Sequence, residues 1–211
     1  SGISEGTDVT ITMDDTANGG LCTLTREVTS PVCEPTGSVD IELIGVMDFT
    51  VSTGGSTGKA HHLVATADNV QLSDYGLGSA NNGGGTDGEE FSLPAGIVNN
   101  GDNILVVRDA AAIEAYFTTA GYNLFDLVIV DTGGDAVDGN GNDAIELYKN
   151  GSVVETFGEI NFEGGSSNFS MDWAYNDSWA YKVNDVWTYG GPDCTDGSTT
   201  IFDSSCVYPF L

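Results

Sequence analysis

The chain has 211 residues, 40% of them hydrophobic, with 5 Lys+Arg against 32 Asp+Glu for a formal charge of −27. Neutralising nucleic-acid phosphates or docking on anionic lipid needs clustered cations, so this balance excludes nucleic acid and membrane surfaces as partners. No apolar run reaches the ~20 residues of a membrane span, and the apolar fraction is too high for a disordered chain.

In chain order, Val9, Ile11 and Met13 alternate with Asp8, Thr10 and Thr12, which predicts a strand with one apolar face. A turn-rich stretch from Asp14 to Gly20 leads into the first cysteine loop, punctuated by Pro31 and Pro35. A second strand is expected from Val39 to Phe49. Two parts follow: an N-terminal arm over 1–37 and a domain over 38–211. The next strand is expected around His61–Thr66, and Val70–Leu77 reads as short and mixed. Ser79–Gly88, rich in Gly and Asn, reads as a loop. Glu90–Pro94 and Asn103–Arg108 are strand-like. Asp109 is the expected N-cap of one helix through Ala110–Phe117, closed by Gly121. Phe125–Val130 is a continuous apolar run, expected to be a central strand. Ala144–Tyr148 and Val153–Phe157 flank Asn150-Gly151, the signature of a tight hairpin. Many short strands with one short inserted helix predict an all-β fold, an immunoglobulin-like β-sandwich.

Cys22, Cys33, Cys194 and Cys206 lie near the two ends. Four cysteines allow three pairings. The local pairing, Cys22–Cys33 and Cys194–Cys206, closes two short loops and is the expected one. Zinc is the competing reading, but no Cys-x-x-Cys pair occurs. Disulfides imply an oxidising, extracellular compartment. The absence of an initiator Met and of a signal peptide suggests a mature, processed chain.

Catalysis is not expected. His61 and His62, the only histidines, are adjacent, so on a strand they point to opposite faces and cannot share a site. Calcium is the candidate cofactor. Asp131, Asp135, Asp138, Asn140 and Asp143 offer oxygens on a flexible loop, and Asp138, Asn140 and Asn142 match positions 1, 3 and 5 of an EF-hand. Asp143 stands where that motif needs Gly and Lys149 where it needs Glu, so the loop is not an EF-hand. Its plainer reading is a solvated Asx-rich turn. Asn150, Asn168 and Asn176 open Asn-x-Ser sequons, candidate glycosylation points. Trp173, Tyr175, Trp179, Tyr181, Trp187 and Tyr189 crowd the end of the chain. They pack a core or interface, or, if exposed, stack on a polysaccharide.

Several stretches resemble bacterial lamin-tail-like domains. Gly141–Gly151 with Val153–Gly158 is similar to that family's closing hairpin, and Lys59–Leu77 with Leu72-Ser73-Asp74-Tyr75 to its early strand and turn. Phe91–Gly96 and Gly101–Val106 match its middle strands, and Trp187–Gly191, Cys194–Gly197 and Cys206–Pro209 the tail of secreted members. The resemblance covers residues 38–210 and departs at His61-His62-Leu63-Val64, where relatives tend to carry an acidic strand. It implies an immunoglobulin-like sandwich in a secreted or cell-surface bacterial protein, without fixing one activity. The expected function is therefore a structural subunit, a homo-oligomer or filament. Val9, Ile11 and Met13 form its interface by strand addition, because a lone apolar strand needs a cover. Burying those three side chains contributes roughly 5–8 kcal/mol before ordering costs. A carbohydrate- or surface-binding module is the alternative.

Overall fold

The computed structural model describes residues 39–162 and 168–211, with the backbone of two short strands nearer the N-terminus. The chain divides into two compact units, Ser1–Ser38 and Val39–Leu211. In the first, β1 (Val9–Thr10) pairs antiparallel with β2 (Glu27–Val28), Val9 opposite Val28. The side chains of Val9, Ile11 and Met13 and the expected Cys22–Cys33 bond lie outside the described residues.

The second unit is strands and one α-helix, as an all-β reading requires. β3 (Ile41–Asp48) and β4 (Lys59–Ala65) form an antiparallel pair, Asp48 opposite Lys59. β5 (Val70–Gln71) pairs with β8 (Ile97–Val98), and β6 (Tyr75–Ala80) with β7 (Phe91–Ser92). β9 (Asn103–Val107) is followed by α1 (Ala110–Tyr122) and β10 (Leu127–Val130). β11 (Ala144–Lys149) and β12 (Ser152–Phe157) form a hairpin, as do β13 (Ser178–Val183) and β14 (Val186–Tyr189). One sheet has the order β10-β9-β4-β3-β13-β14 and another β12-β11-β6-β7.

β9 and β10 run parallel, Ile104 opposite Leu127. Parallel neighbours need a crossover, which α1 supplies. Asp109 caps it as expected, its carboxylate accepting from the Ala112 N–H at 3.0 Å. The six-stranded sheet is apolar on both faces. On β9, Ile104 and Val106 face a core shared with Leu77, Ile145 and Leu147 of the four-stranded sheet. Leu105 and Val107 face a second core, closed by Ile113, Phe117, Ile201 and Tyr208 from the helix and the C-terminal segment.

Two expectations change. Residues 127–130 form an edge of the six-stranded sheet, not a central strand. Their apolarity reflects two covered faces: Leu127 packs on the first core and Val128 on the second. Periodicity reports what lies above and below a strand, not what lies beside it. Ser79 and Ala80, expected in a loop, continue β6 opposite Ile145 and Ala144. The Asn-Gly hairpin forms as expected, with φ of 51° at Asn150 and 74° at Gly151.

Candidate functional site

The Asx-rich loop spends much of its oxygen on its own backbone. Asp131, 2% exposed, accepts from Gly134 N at 2.8 Å and from Ala136 N and Val137 N at 3.2 Å each. Asp143 accepts from Asn82 N at 2.7 Å and Asn140 N at 2.9 Å. The carbonyls of Asp138 and Gly139 accept from the Lys59 ammonium, each at 2.9 Å. Lys59 is itself buried, with Asp48 at 3.9 Å. Asp135 and the Asp138 side chain face solvent, and Asn140 is half-buried. The four carboxylates expected as calcium ligands are not gathered into a metal-sized group.

Such a group exists elsewhere. Among the described residues, Asp177, Asp193 and Asp196 are the one set of three acidic, histidine or cysteine side chains whose ligand atoms all lie within 4.8 Å of one another. Pairing of β3 with β13 sets Asp48 opposite Ser178, so Thr50 follows the end of one strand while Asp177 precedes the other. The segment around Cys194, bonded to Cys206 as expected, lies alongside. Asp193 N donates to Asn176 O and Thr195 N to Asp177 O, both at 3.0 Å. Thr50 Oγ1 sits 2.6 Å from Asp177 Oδ1 and 2.8 Å from Asp196 Oδ1. Asn176 Nδ2 donates to Asp193 Oδ1 at 2.7 Å. Sequence reasoning missed this cluster. Acids beside a cysteine of a closed loop were its only local signal.

Both histidines are buried. His61 and His62 point to opposite faces, as expected: Nε2 of His61 donates to Ala136 O at 3.0 Å, while His62 packs against Phe125, Tyr181, Tyr208 and Phe210. Most of the late aromatics pack inward too. Tyr175 and Trp179 are buried, and Trp173 and Trp187 lie against Phe157. Tyr189 is exposed. Of the sequon asparagines, Asn150 is exposed, Asn168 is half-buried, and Asn176 is buried with its amide nitrogen hydrogen-bonded.

Every lysine and arginine among the described residues is engaged within the fold. Arg108 donates to Gly134 O, Lys149 meets Asp40 at 2.7 Å, and Lys182 pairs with Glu155. No helix among the described residues is long and apolar enough to cross a membrane. Comparison with protein-family models, curated proteins and solved structures finds no match.

Proposed function

We propose that the chain is a non-enzymatic extracellular structural protein whose copies join into a filament or surface layer by N-terminal strand addition. In this reading its sheets form an immunoglobulin-like sandwich of the lamin-tail type. The observation that carries it is the outer edge of β10. No described strand pairs with that edge, its residues Leu127-Val128-Ile129-Val130 include neither a charge nor a proline, and Val130 is 40% exposed. Sheet edges of this kind are pairing templates unless something covers or blunts them. The first unit offers the complementary element. Among the described residues its β1–β2 ladder pairs Val9 with Val28 and Thr10 with Glu27, and a hairpin alone is marginally stable at best in water. In this reading a neighbour's edge gives the apolar segment 9–13 a ladder partner and a cover for Val9, Ile11 and Met13. The Cys194–Cys206 bond supports the oxidising compartment.

The test compares the parent chain with a variant lacking residues 1–14, and with Ile11→Asp, by size-exclusion chromatography and electron microscopy. The parent is expected to assemble and both variants to remain monomeric. A variant that assembles like the parent removes the arm as the linker. A parent that stays monomeric at high concentration removes the filament reading and favours the polysaccharide-binding module.

A further inference from the structure

We propose that Lys59 and Asp48 condense into an isopeptide bond, a covalent tie between β4 and β3. It does not depend on the sheet edge invoked above. Strand pairing sets the two residues opposite each other on the two middle strands of the six-stranded sheet. Both side chains are sheltered, 10% and 15% exposed, and Lys59 Nζ stands 3.9 Å from Asp48 Oδ1.

An ion pair by itself does not account for that spacing. Lys149 and Asp40 close to 2.7 Å, the usual length of a charge-assisted hydrogen bond, whereas Lys59 and Asp48 stay apart. A sheltered pair of charges recovers its desolvation cost only in close geometry. The atoms that Nζ does touch are the carbonyl oxygens of Asp138 and Gly139, each at 2.9 Å. An ammonium carries three hydrogens, a neutral amine two. Two carbonyls match the two hydrogens of the amine. Its lone pair is left for Asp48, the one carboxylate in ion-pair range of Nζ among the described residues. On the acid side, burial lifts Asp48 to about 6 against the pull of Lys59, with Asp177 and Asp143 adding to the rise. Asp48 therefore takes up a proton readily.

A proton passes from the Lys59 ammonium to the Asp48 carboxylate, giving an amine and a carboxylic acid. The amine lone pair attacks Cγ, the C–OH bond breaks, and the hydroxyl leaves with one amine proton as water. One ammonium and one carboxylate thus become one amide, and no oxidant or reductant is consumed. The Asp177 backbone N–H, which donates to the Asp48 carboxylate, stabilises the oxyanion formed on the way. Amines and acids do not condense in open water. Held together in one fold they reach effective concentrations of about 10⁵–10⁸ M, and a sheltered site withholds the water that reverses the step.

The test is the intact mass of the full chain, denatured and with its disulfides reduced, followed by a chymotryptic peptide map. Cleavage after Phe49 separates Asp48 from Lys59 along the backbone. The parent is expected to weigh one water molecule less than its sequence, and the fragments holding Asp48 and Lys59 are expected to stay joined. Lys59→Arg keeps the charge but replaces the amine with a guanidinium that stays protonated, and Asp48→Ala removes the acyl group. Both variants are expected at full mass. A parent at full mass, or a map in which the two fragments run separately, overturns the proposal. So does a missing water that persists in Lys59→Arg, since the dehydration then lies elsewhere in the chain. Should neither variant fold, the peptide map of the parent decides alone.

Discussion

His62 shows how one buried side chain ties the C-terminal segment to the sheet. Its Nε2 lies 3.0 Å from Asn103 Oδ1, an acceptor, so Nε2 carries the proton. Nδ1 is then free to accept from the Tyr208 hydroxyl at 3.1 Å. Burial pushes both His61 and His62 down to about 4 from an ordinary 6.5, against the smaller opposing effect of their hydrogen bonds. The folded state therefore holds these rings neutral. Their contribution is complete above the unfolded value near 6.5 and is lost as pH falls toward 4. At pH 5 the loss is about 2 kcal/mol per histidine. Urea denaturation of the parent and of His62→Gln between pH 7 and 5 checks this: the variant is expected to lose roughly half of the histidine-dependent slope, and an unchanged slope contradicts it. Gly45 guards the same contact. A Cβ there would stand 2.0 Å from the Tyr208 hydroxyl and 2.9 Å from His62 Cβ. Gly45→Ala is expected to destabilise by about 3 kcal/mol in chemical denaturation, because neither buried neighbour has room to yield. A loss under about 0.5 kcal/mol would show that the tail swings away freely.

At the scale of elements, the disulfide and the sheet edge make separate claims. Cys194 and Cys206 are 12 residues apart, so removing the bond as Cys194→Ala/Cys206→Ala is expected to cost about 3 kcal/mol from chain entropy. Equal denaturation midpoints would show that hydrogen bonds such as Thr195 N to Asp177 O already fix the loop. Val130→Lys places a charge at the end of the open edge. It is expected to abolish assembly while leaving monomer Tm within about 2 °C, since Val130 is already exposed. The sequence made some of these elements legible and hid others, for physical reasons. β3 was readable as a strand-length run rich in apolar residues, α1 because Asp109 caps it, and β11–β12 because Asn-Gly takes φ > 0 at both turn positions. The β13–β14 hairpin turns on Asn184-Asp185, with φ of 51° and 63° and no glycine to announce it. The acidic cluster was hidden because Thr50, Asp177, Asp193 and Asp196 meet only through strand pairing and loop closure. In the Asx-rich loop the residue types were visible but their direction was not. Spacing alone does not distinguish an aspartate that faces a cation from one like Asp131, which caps its own backbone.

The whole molecule carries a formal charge of −27 with only 5 basic side chains, and four of these, Lys59, Arg108, Lys149 and Lys182, are engaged inside the fold. Two copies approaching each other therefore present acid to acid, and the described surface has no spare ammonium or guanidinium to form an ion pair across the contact. Attraction between copies must come from apolar burial, from backbone ladder bonds, or from cations held between them. Like-charge repulsion reaches about 30 Å at 0.01 M salt and about 10 Å at 0.1 M. Raising sodium chloride across that range should remove most of the barrier while barely changing ladder bonds or apolar burial. Assembly followed by light scattering is therefore expected to increase with ionic strength, and the dissociation rate of preformed assemblies to fall. Interfaces built on salt bridges respond in the opposite sense, because screening weakens attraction between unlike charges. Assemblies that dissolve as sodium chloride rises would thus show that ion pairs join the copies. Arg26, the one basic residue outside the described part of the fold, would then be the first side chain to test, by Arg26→Gln.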